Sequence, residues 1–339
     1  MSNNFSSEKS FKAFGVLSMG KVGVLPSQKT GPFVGPATFM NVPFSTDPTG
    51  SKAAILGVPF DTGTHTTRIG SRTGPAAIRE QSLLVRPFQL PHAKFNPLEY
   101  LNLVDCGDAD VTPSIIEESF AAIELAAFTI ADAGAAPLAL GGDGSITLPL
   151  LRAMKRKYND LAVLHIDAHT DTYRGDGEAI HDRYNTATTF TRAAEEGLVN
   201  LDKSFHVGPR GPVMAADVFD HTRENGYNLI HGRQLFARGL RETAEDLKSQ
   251  LGDIPVYLCF DMDFFDPSCA PGVCTPTWGG ASAREGLEFL QDLAGINFVA
   301  ADIDTLSPPH DPGGMTAFLA GTVALEILTL FCHAGKSDT

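Results

Sequence analysis

The sequence predicts an α/β fold with a mostly parallel sheet in a single domain. Single apolar strands alternate with helical stretches over most of the length. No fixed-period repeat and no linker divides the chain. The polar residues with chemical potential cluster just past strand ends, where open parallel sheets gather ligands. With 339 residues, 43% of them hydrophobic, the chain is long enough for a substantial core.

Residues 1–48 are rich in Gly, Pro, Ser and Thr and cannot form a core of their own. Their Phe and Val residues suit an arm laid against a neighbouring subunit; simple disorder is the alternative. The folded domain is placed at 49–335. Regular structure begins with the apolar run Ala53–Val58, followed by a Gly- and Thr-rich loop and a helix at 76–84. Further strands are expected at 101–104, 137–140, 161–166, 204–207, 256–260 and 298–301. Apolar spacings of three and four place helices at 115–133, 282–293 and 317–331.

Forty acidic residues against 26 basic ones leave a formal charge of -14, with no Lys/Arg cluster. A phosphate backbone would need the opposite sign, so no nucleic-acid partner is expected. The acidity suits a cationic small substrate or metal ions, and equally serves solubility. Five cysteines without Cys-x-x-Cys spacing indicate a reduced compartment and no disulfide framework. The N-terminus lacks a basic and apolar leader pattern, and no apolar run reaches the roughly 18 residues of a bilayer span. A soluble, cytoplasmic protein is the expectation.

The stretch 161–172 carries the chemistry. Its first half is apolar throughout, as in a strand buried on both faces. Its second half places Asp167, His169 and Asp171 at alternate positions, on one face if the strand continues. Such a set suits a divalent metal; a polar strand end with a capping Asp and core-bonded His165 or His169 is the other reading. Asp261 and Asp263 repeat the alternation after the strand at 256–260. Four carboxylates directed at one region cost too much without a cation, so the two clusters together favour two divalent ions. Two more strands end in loaded sequence, Gly141-Gly-Asp-Gly-Ser145 and the pair Asp302 and Asp304.

Taken together, Gly-Gly-Asp-x-Ser at 141–145, Asp-Ala-His-x-Asp at 167–171 and Asp-x-Asp-x-x-Asp-Pro-x-x-x-Pro at 261–271 resemble the three signatures of the ureohydrolases, the arginase and agmatinase family. Arg68-x-Gly-x-Arg-x-Gly-Pro75 and Ser307-Pro-Pro-His-Asp-Pro312 support the likeness, which spans about residues 50–332. The branch most similar in look is that of guanidine and metformin hydrolases. The resemblance implies a three-layer αβα sandwich, trimeric or hexameric assembly, and hydrolysis of a guanidino group to urea and an amine. It also implies a binuclear centre of Ni²⁺ or Mn²⁺, in which a shared water loses a proton near neutral pH. Asp167 and Asp261 would bridge, Asp171 would complete one position and support the reaction, and His169 with Asp263 would complete the other.

Three positions depart from the family pattern. Gly144 stands where the first signature carries a metal-binding histidine. Thr186 stands where a loop histidine is expected; His181 is the candidate replacement, or an exposed loop residue. Thr305 replaces a substrate-facing glutamate. His65 and Trp278 are candidate pocket residues, with a solvated loop and core packing as their alternatives. The leading expectation is a subunit of a guanidino- or biguanide-hydrolysing complex, impaired at Gly144 and Thr186, that supports a catalytic homologous chain in a hetero-oligomer, a hexamer by resemblance. A self-sufficient hydrolase with a modified site is the alternative, and a non-enzymatic metal- or ligand-binding protein ranks below both.

Overall fold

A computed structural model describes residues 37–334. Eight strands form one parallel sheet: β1 (Ala53–Val58), β2 (Val104–Asp108), β3 (Ala136–Gly141), β4 (Ala162–Ile166), β5 (Phe205–Val207), β6 (Asn228–Ile230), β7 (Val256–Asp261) and β8 (Phe298–Asp304). Their order is β2-β1-β3-β8-β7-β4-β5-β6, so the late strands β7 and β8 are inserted between β3 and β4. The helices are α1 (Gly74–Ser82), α2 (Pro97–Tyr100), α3 (Ile116–Asp132), α4 (Thr147–Lys155), α5 (Ile180–Arg183), α6 (Thr189–Glu195), α7 (Val218–Glu224), α8 (Gly232–Arg238), α9 (Leu240–Leu251), α10 (Ala283–Asp292) and α11 (Met315–His333).

The central strands β1, β4 and β7 are buried at every residue, because helices cover both faces of the sheet. Alternation along each strand therefore divides two cores instead of core from solvent. Ala53, Ile55, Leu164 and Leu258 pack with α1, α9, α10 and α11. Ala54, Leu56, Val163 and Tyr257 pack with α3, α4 and α6. This is the three-layer αβα sandwich expected.

Helix α11 departs from one expectation. The segment Pro312–His333 is apolar and long enough to cross a membrane by composition, yet 78% of its most apolar window is buried in this fold. Glu326 interrupts the run, and its carboxylate accepts a hydrogen bond from Gln291 at 2.8 Å.

Two strands differ from the sequence reading. The strand expected at 101–104 starts only at Val104 and runs to Asp108. Its Asp105, Gly107 and Asp108 disguise it, because the edge strand is held by charge as much as by apolar packing. Arg79 of α1 reaches Asp105 with Nε and Nη2, each at 2.8 Å, and also pairs with Asp108. The three-residue β6 closes the opposite edge and is too short to show a period. Part of the expected arm also belongs to the fold. Phe39 is fully buried and its N–H donates to Asp105 Oδ2 at 2.9 Å, while Phe44 bridges to β2. Residues 1–36, the rest of that arm, lie outside the described residues.

The boundaries that matter for function are set by close approaches. A Cβ on Gly142 would stand 2.2 Å from the Phe60 carbonyl oxygen, and one on Gly74 would stand 2.4 Å from that of Gly141. Only glycine lets α1, the loop after β1 and the end of β3 meet there. Arg68 continues the clamp: Nε donates to the Val273 carbonyl at 2.7 Å and Nη2 to that of Pro271.

Arg79→Met leaves the buried Asp105 carboxylate, and the exposed one of Asp108, without their guanidinium. Removing one partner of a buried ion pair costs about 3–5 kcal/mol. Chemical denaturation of the variant should show a loss of that size, whereas an unchanged midpoint would mean that the pair does not anchor β2.

Candidate metal centre

The carboxylates converge at the C-terminal ends of β4, β7 and β8, next to the end of β3. They do so by tight turns instead of by strand alternation. Strand β4 stops at Ile166, and Asp171 adopts a left-handed backbone with φ 50°. Asp263 lies in a single 3₁₀ turn, Met262–Phe264, past the end of β7. The one-face strand geometry expected for Asp167, His169 and Asp171 is therefore replaced by a loop that folds back on itself. His169 N–H donates to Asp167 Oδ1 at 2.7 Å, and Asp263 N–H donates to Asp261 Oδ1 at 2.6 Å. Ala168 N–H donates to Asp263 Oδ1 at 3.1 Å and joins the two loops.

Ligand atoms of Asp167, His169 and Asp263 come within 4.8 Å of one another, and so do those of His165, Asp167 and Asp171. His169 Nδ1 stands 3.1 Å from Asp263 Oδ2 and 3.3 Å from Asp167 Oδ1, while its Nε2 lies 3.2 Å from Thr277 Oγ1. His165 is a core histidine, as expected, but it is not idle. Its Nε2 lies 2.8 Å from Asp167 Oδ2 and its Nδ1 lies 2.8 Å from Nδ1 of His206, so Asp167 is backed by a buried histidine pair. Asp261 accepts from Thr305 Oγ1 on the same oxygen that faces Asp263 N–H. Thr305 itself sits at φ 59°, a conformation that a β-branched residue rarely adopts. Its N–H to the Gly142 carbonyl and its own carbonyl to Cys274 N–H hold it there.

The electrostatics indicate an uncompensated anionic cluster. Burial, then the charge of Asp167, raises Asp171 well above the usual carboxylate range. Burial, then Asp263 and Asp167, does the same to Asp261. Burial and Asp167 carry Asp263 up to about 6. Burial opposes the charged forms of Asp167 and His169 as well, yet His165 and His169 hold Asp167 well below its usual value. Asp263 and Asp167 hold His169 well above its own. Asp167 Oδ2 and Asp263 Oδ2 are buried and accept no aligned hydrogen bond. A donor set of carboxylates and imidazole with such oxygens fits divalent cations.

The remaining sequence candidates fall in three groups. Thr186, Thr305 and His65 line the same cavity of about 650 Å³ as His169, Asp171, Asp261 and Asp263. His65 Nδ1 lies 3.3 Å from Thr275 Oγ1 at that wall. His181 is exposed and borders a neighbouring cavity with Asp61 and Arg72, away from the carboxylates. Trp278 is 73% exposed and is not part of the cavity wall. Tyr173, Cys274 and Met214 complete the wall without any motif to announce them. Asp143 of the first signature is a scaffold residue: it accepts from Ser145 N–H at 3.1 Å and from Thr62 N–H and Oγ1, each at 2.8 Å.

Gly144 faces this centre directly. A Cβ there would stand 3.2 Å from Asp171 Oδ2, 3.2 Å from Asp304 Oδ2 and 2.9 Å from Thr186 Cγ2. Gly144 and Thr186, two of the three positions singled out in the sequence, are thus neighbours in space, with the Thr186 methyl beside the place where a side chain at 144 would begin.

The sequence matches the arginase family over residues 51–330. It is 37% identical over 306 residues to guanidinopropionase of Pseudomonas aeruginosa, covering 89% of this chain and 93% of that one. Proclavaminate amidino hydrolase of Streptomyces clavuligerus superposes with a TM-score of 0.84 at 32% identity, over 90% of this chain and 100% of that one. Formiminoglutamase of Trypanosoma cruzi, solved with two Mn²⁺, gives a TM-score of 0.74 at 25% identity, over 84% and 94% of the two chains. The chain belongs to the arginase family, the ureohydrolases.

The shifts of the centre's own groups set its contribution to stability against pH in a metal-free chain, with buried His206, held well below its usual value by desolvation and His165, acting in the opposite sense. Asp171, Asp261 and Asp263 bind protons more tightly folded than unfolded, and so does His169. Their stabilising contributions are present at low pH and are lost as pH rises, through about 6 for Asp263 and above 6.5 for His169. In EDTA the denaturation midpoint should fall between pH 5 and pH 8, and saturating Mn²⁺ should flatten the slope. A slope indifferent to Mn²⁺ would contradict the assignment.

Proposed function

We propose that this chain is a ureohydrolase-type subunit for guanidino or biguanide compounds, with its own centre impaired, and that it supports a catalytic homologous chain in a hetero-oligomer such as a metformin hydrolase-like hexamer. One observation carries the reading. Gly144 offers no ligand, and Thr186 Cγ2 lies 2.9 Å from where a side chain there would begin. The position loses a nitrogen donor and the loop loses a proton carrier together.

Asp167, His169 and Asp263 would hold one ion, and Asp171 with Asp167 and Asp261 would hold the other. Manganese or nickel fits the mixed carboxylate and imidazole donors. Divalent ions at such a centre supply an acidified water for hydrolysis. Asp171, Asp261 and Asp263 present negative charge to the cavity, and among the described residues its lining contains no Lys or Arg. A cationic guanidinium or biguanide suits that wall better than a guanidino acid, whose carboxylate would meet no counter-charge. Without a histidine at 186, and with His181 turned away, the loop imidazole that would protonate the leaving amine is missing, and His65 on the facing wall is the one imidazole of the lining besides His169 among the described residues.

The second reading, a self-sufficient hydrolase with a modified centre, is favoured by the intact Asp167, His169 and Asp263 group beside an open cavity. Urea release separates the two. The chain purified alone with Mn²⁺ or Ni²⁺ should show no turnover on guanidine, agmatine, guanidinobutyrate or metformin. Activity should appear only on co-expression with a homologous chain carrying both histidines. Turnover by the isolated chain at ordinary enzyme rates, about 1 s⁻¹ or above, would establish the second reading instead.

A further inference from the structure

Asp304 belongs to none of the three signatures, yet it ends β8 inside the metal centre. Parallel register pairs it with Asp261 of β7, and Cys259 with Asp302 one step earlier. All four side chains leave the same face of the sheet. Asp302 is already engaged: Tyr257 OH donates to its Oδ2 at 2.6 Å and Thr147 Oγ1 at 2.7 Å. Asp304 is not. It is 1% exposed, its Oδ1 has no hydrogen-bond partner, and its Oδ2 receives only the Cys259 thiol at 3.8 Å. A ligand atom of Asp304 lies within 4.8 Å of those of Cys259 and Asp302, and its Oδ2 lies on the Gly144 side of the centre. The Cβ position of residue 144 is 3.2 Å from Asp304 Oδ2 and 3.2 Å from Asp171 Oδ2, so the two carboxylates flank the place from which a histidine would extend.

A bare carboxylate buried beside other carboxylates is strongly unfavourable unless a cation compensates it. We infer that Asp304 supplies the ligand that Gly144 cannot, so that Asp304, Asp171 and Asp167 form an all-oxygen cation position on the Gly144 side of the centre. The exchange of a neutral imidazole for a carboxylate has two consequences. Oxygen donors favour a hard divalent ion, Mn²⁺ or Mg²⁺, over nickel. The added negative charge also holds the ion more strongly while weakening its pull on a bound water, so the ion is structural. This inference rests on the binuclear reading of the centre and is independent of whether the chain turns over substrate.

Metal stoichiometry tests it on the full chain. Equilibrium dialysis against Mn²⁺ with elemental analysis should give two ions per native chain and one in Asp304→Asn. The double variant Gly144→His/Asp304→Ala should regain the second ion, with nickel now competing against manganese. An Asp304→Asn chain that is folded by circular dichroism and still holds two ions overturns the assignment, as does a native chain that holds one or none. If Asp304→Asn does not fold, the Mn²⁺ electron paramagnetic resonance of the native chain decides. Two ions sharing Asp167 give an exchange-coupled spectrum, and a single uncoupled signal overturns the proposal. Urea release plays no part in these readings, so a failure here is distinct from a failure of the supporting-subunit reading.

Discussion

The molecule is organised around a concentration of negative charge that the fold buries at the carboxyl ends of its central strands. Asp167, Asp171, Asp261, Asp263, Asp302 and Asp304 are each at most 5% exposed, and few cationic groups stand among them. In a medium that screens poorly, like charges so close must be neutralised by protons or by cations. The donor set so assembled fits divalent cations. The rest of the structure can be read as the scaffold that keeps them together: left-handed Asp171 and Thr305, the Asp167–His165–His206 chain, and the cross-loop bond from Ala168 to Asp263.

A parallel sheet is what permits this. All strands end on one side, so residues from distant parts of the chain meet there at the floor of one cavity. The insertion of β7 and β8 between β3 and β4 brings Asp261 and Asp304 to the loops of Asp143 and Asp167. The loop after β1 is then locked over the site by glycines and by Arg68, which leaves a cavity walled by threonines, Tyr173 and acidic groups.

The departures at 144 and 186 acquire their meaning from proximity. Separated by more than forty residues in sequence, they touch in space, and the contact includes Asp304. A side chain at 144 would meet the Thr186 methyl on one side and the Asp304 and Asp171 carboxylates on the other. Other residues of the motifs serve the scaffold. Asp143 and Arg72 hold loops, and Gly74 and Gly142 permit close backbone contact.

From the sequence alone, the alternation of apolar runs and helical spacings determined the parallel α/β class. The clustering of Asp and His past strand ends marked out a candidate metal centre, because buried strands and paired carboxylates leave local patterns. Edge elements escaped: β2 is stabilised by the Arg79–Asp105 pair and β6 spans three residues, so neither carries an apolar period. Only the tertiary structure decided which candidates share the centre. It replaced strand alternation by turns at Asp171 and Asp263, placed His181 and Trp278 outside the cavity, and drew Asp304 beside Gly144. Those outcomes depend on strand order and on contacts between residues far apart in the chain, which no local pattern encodes.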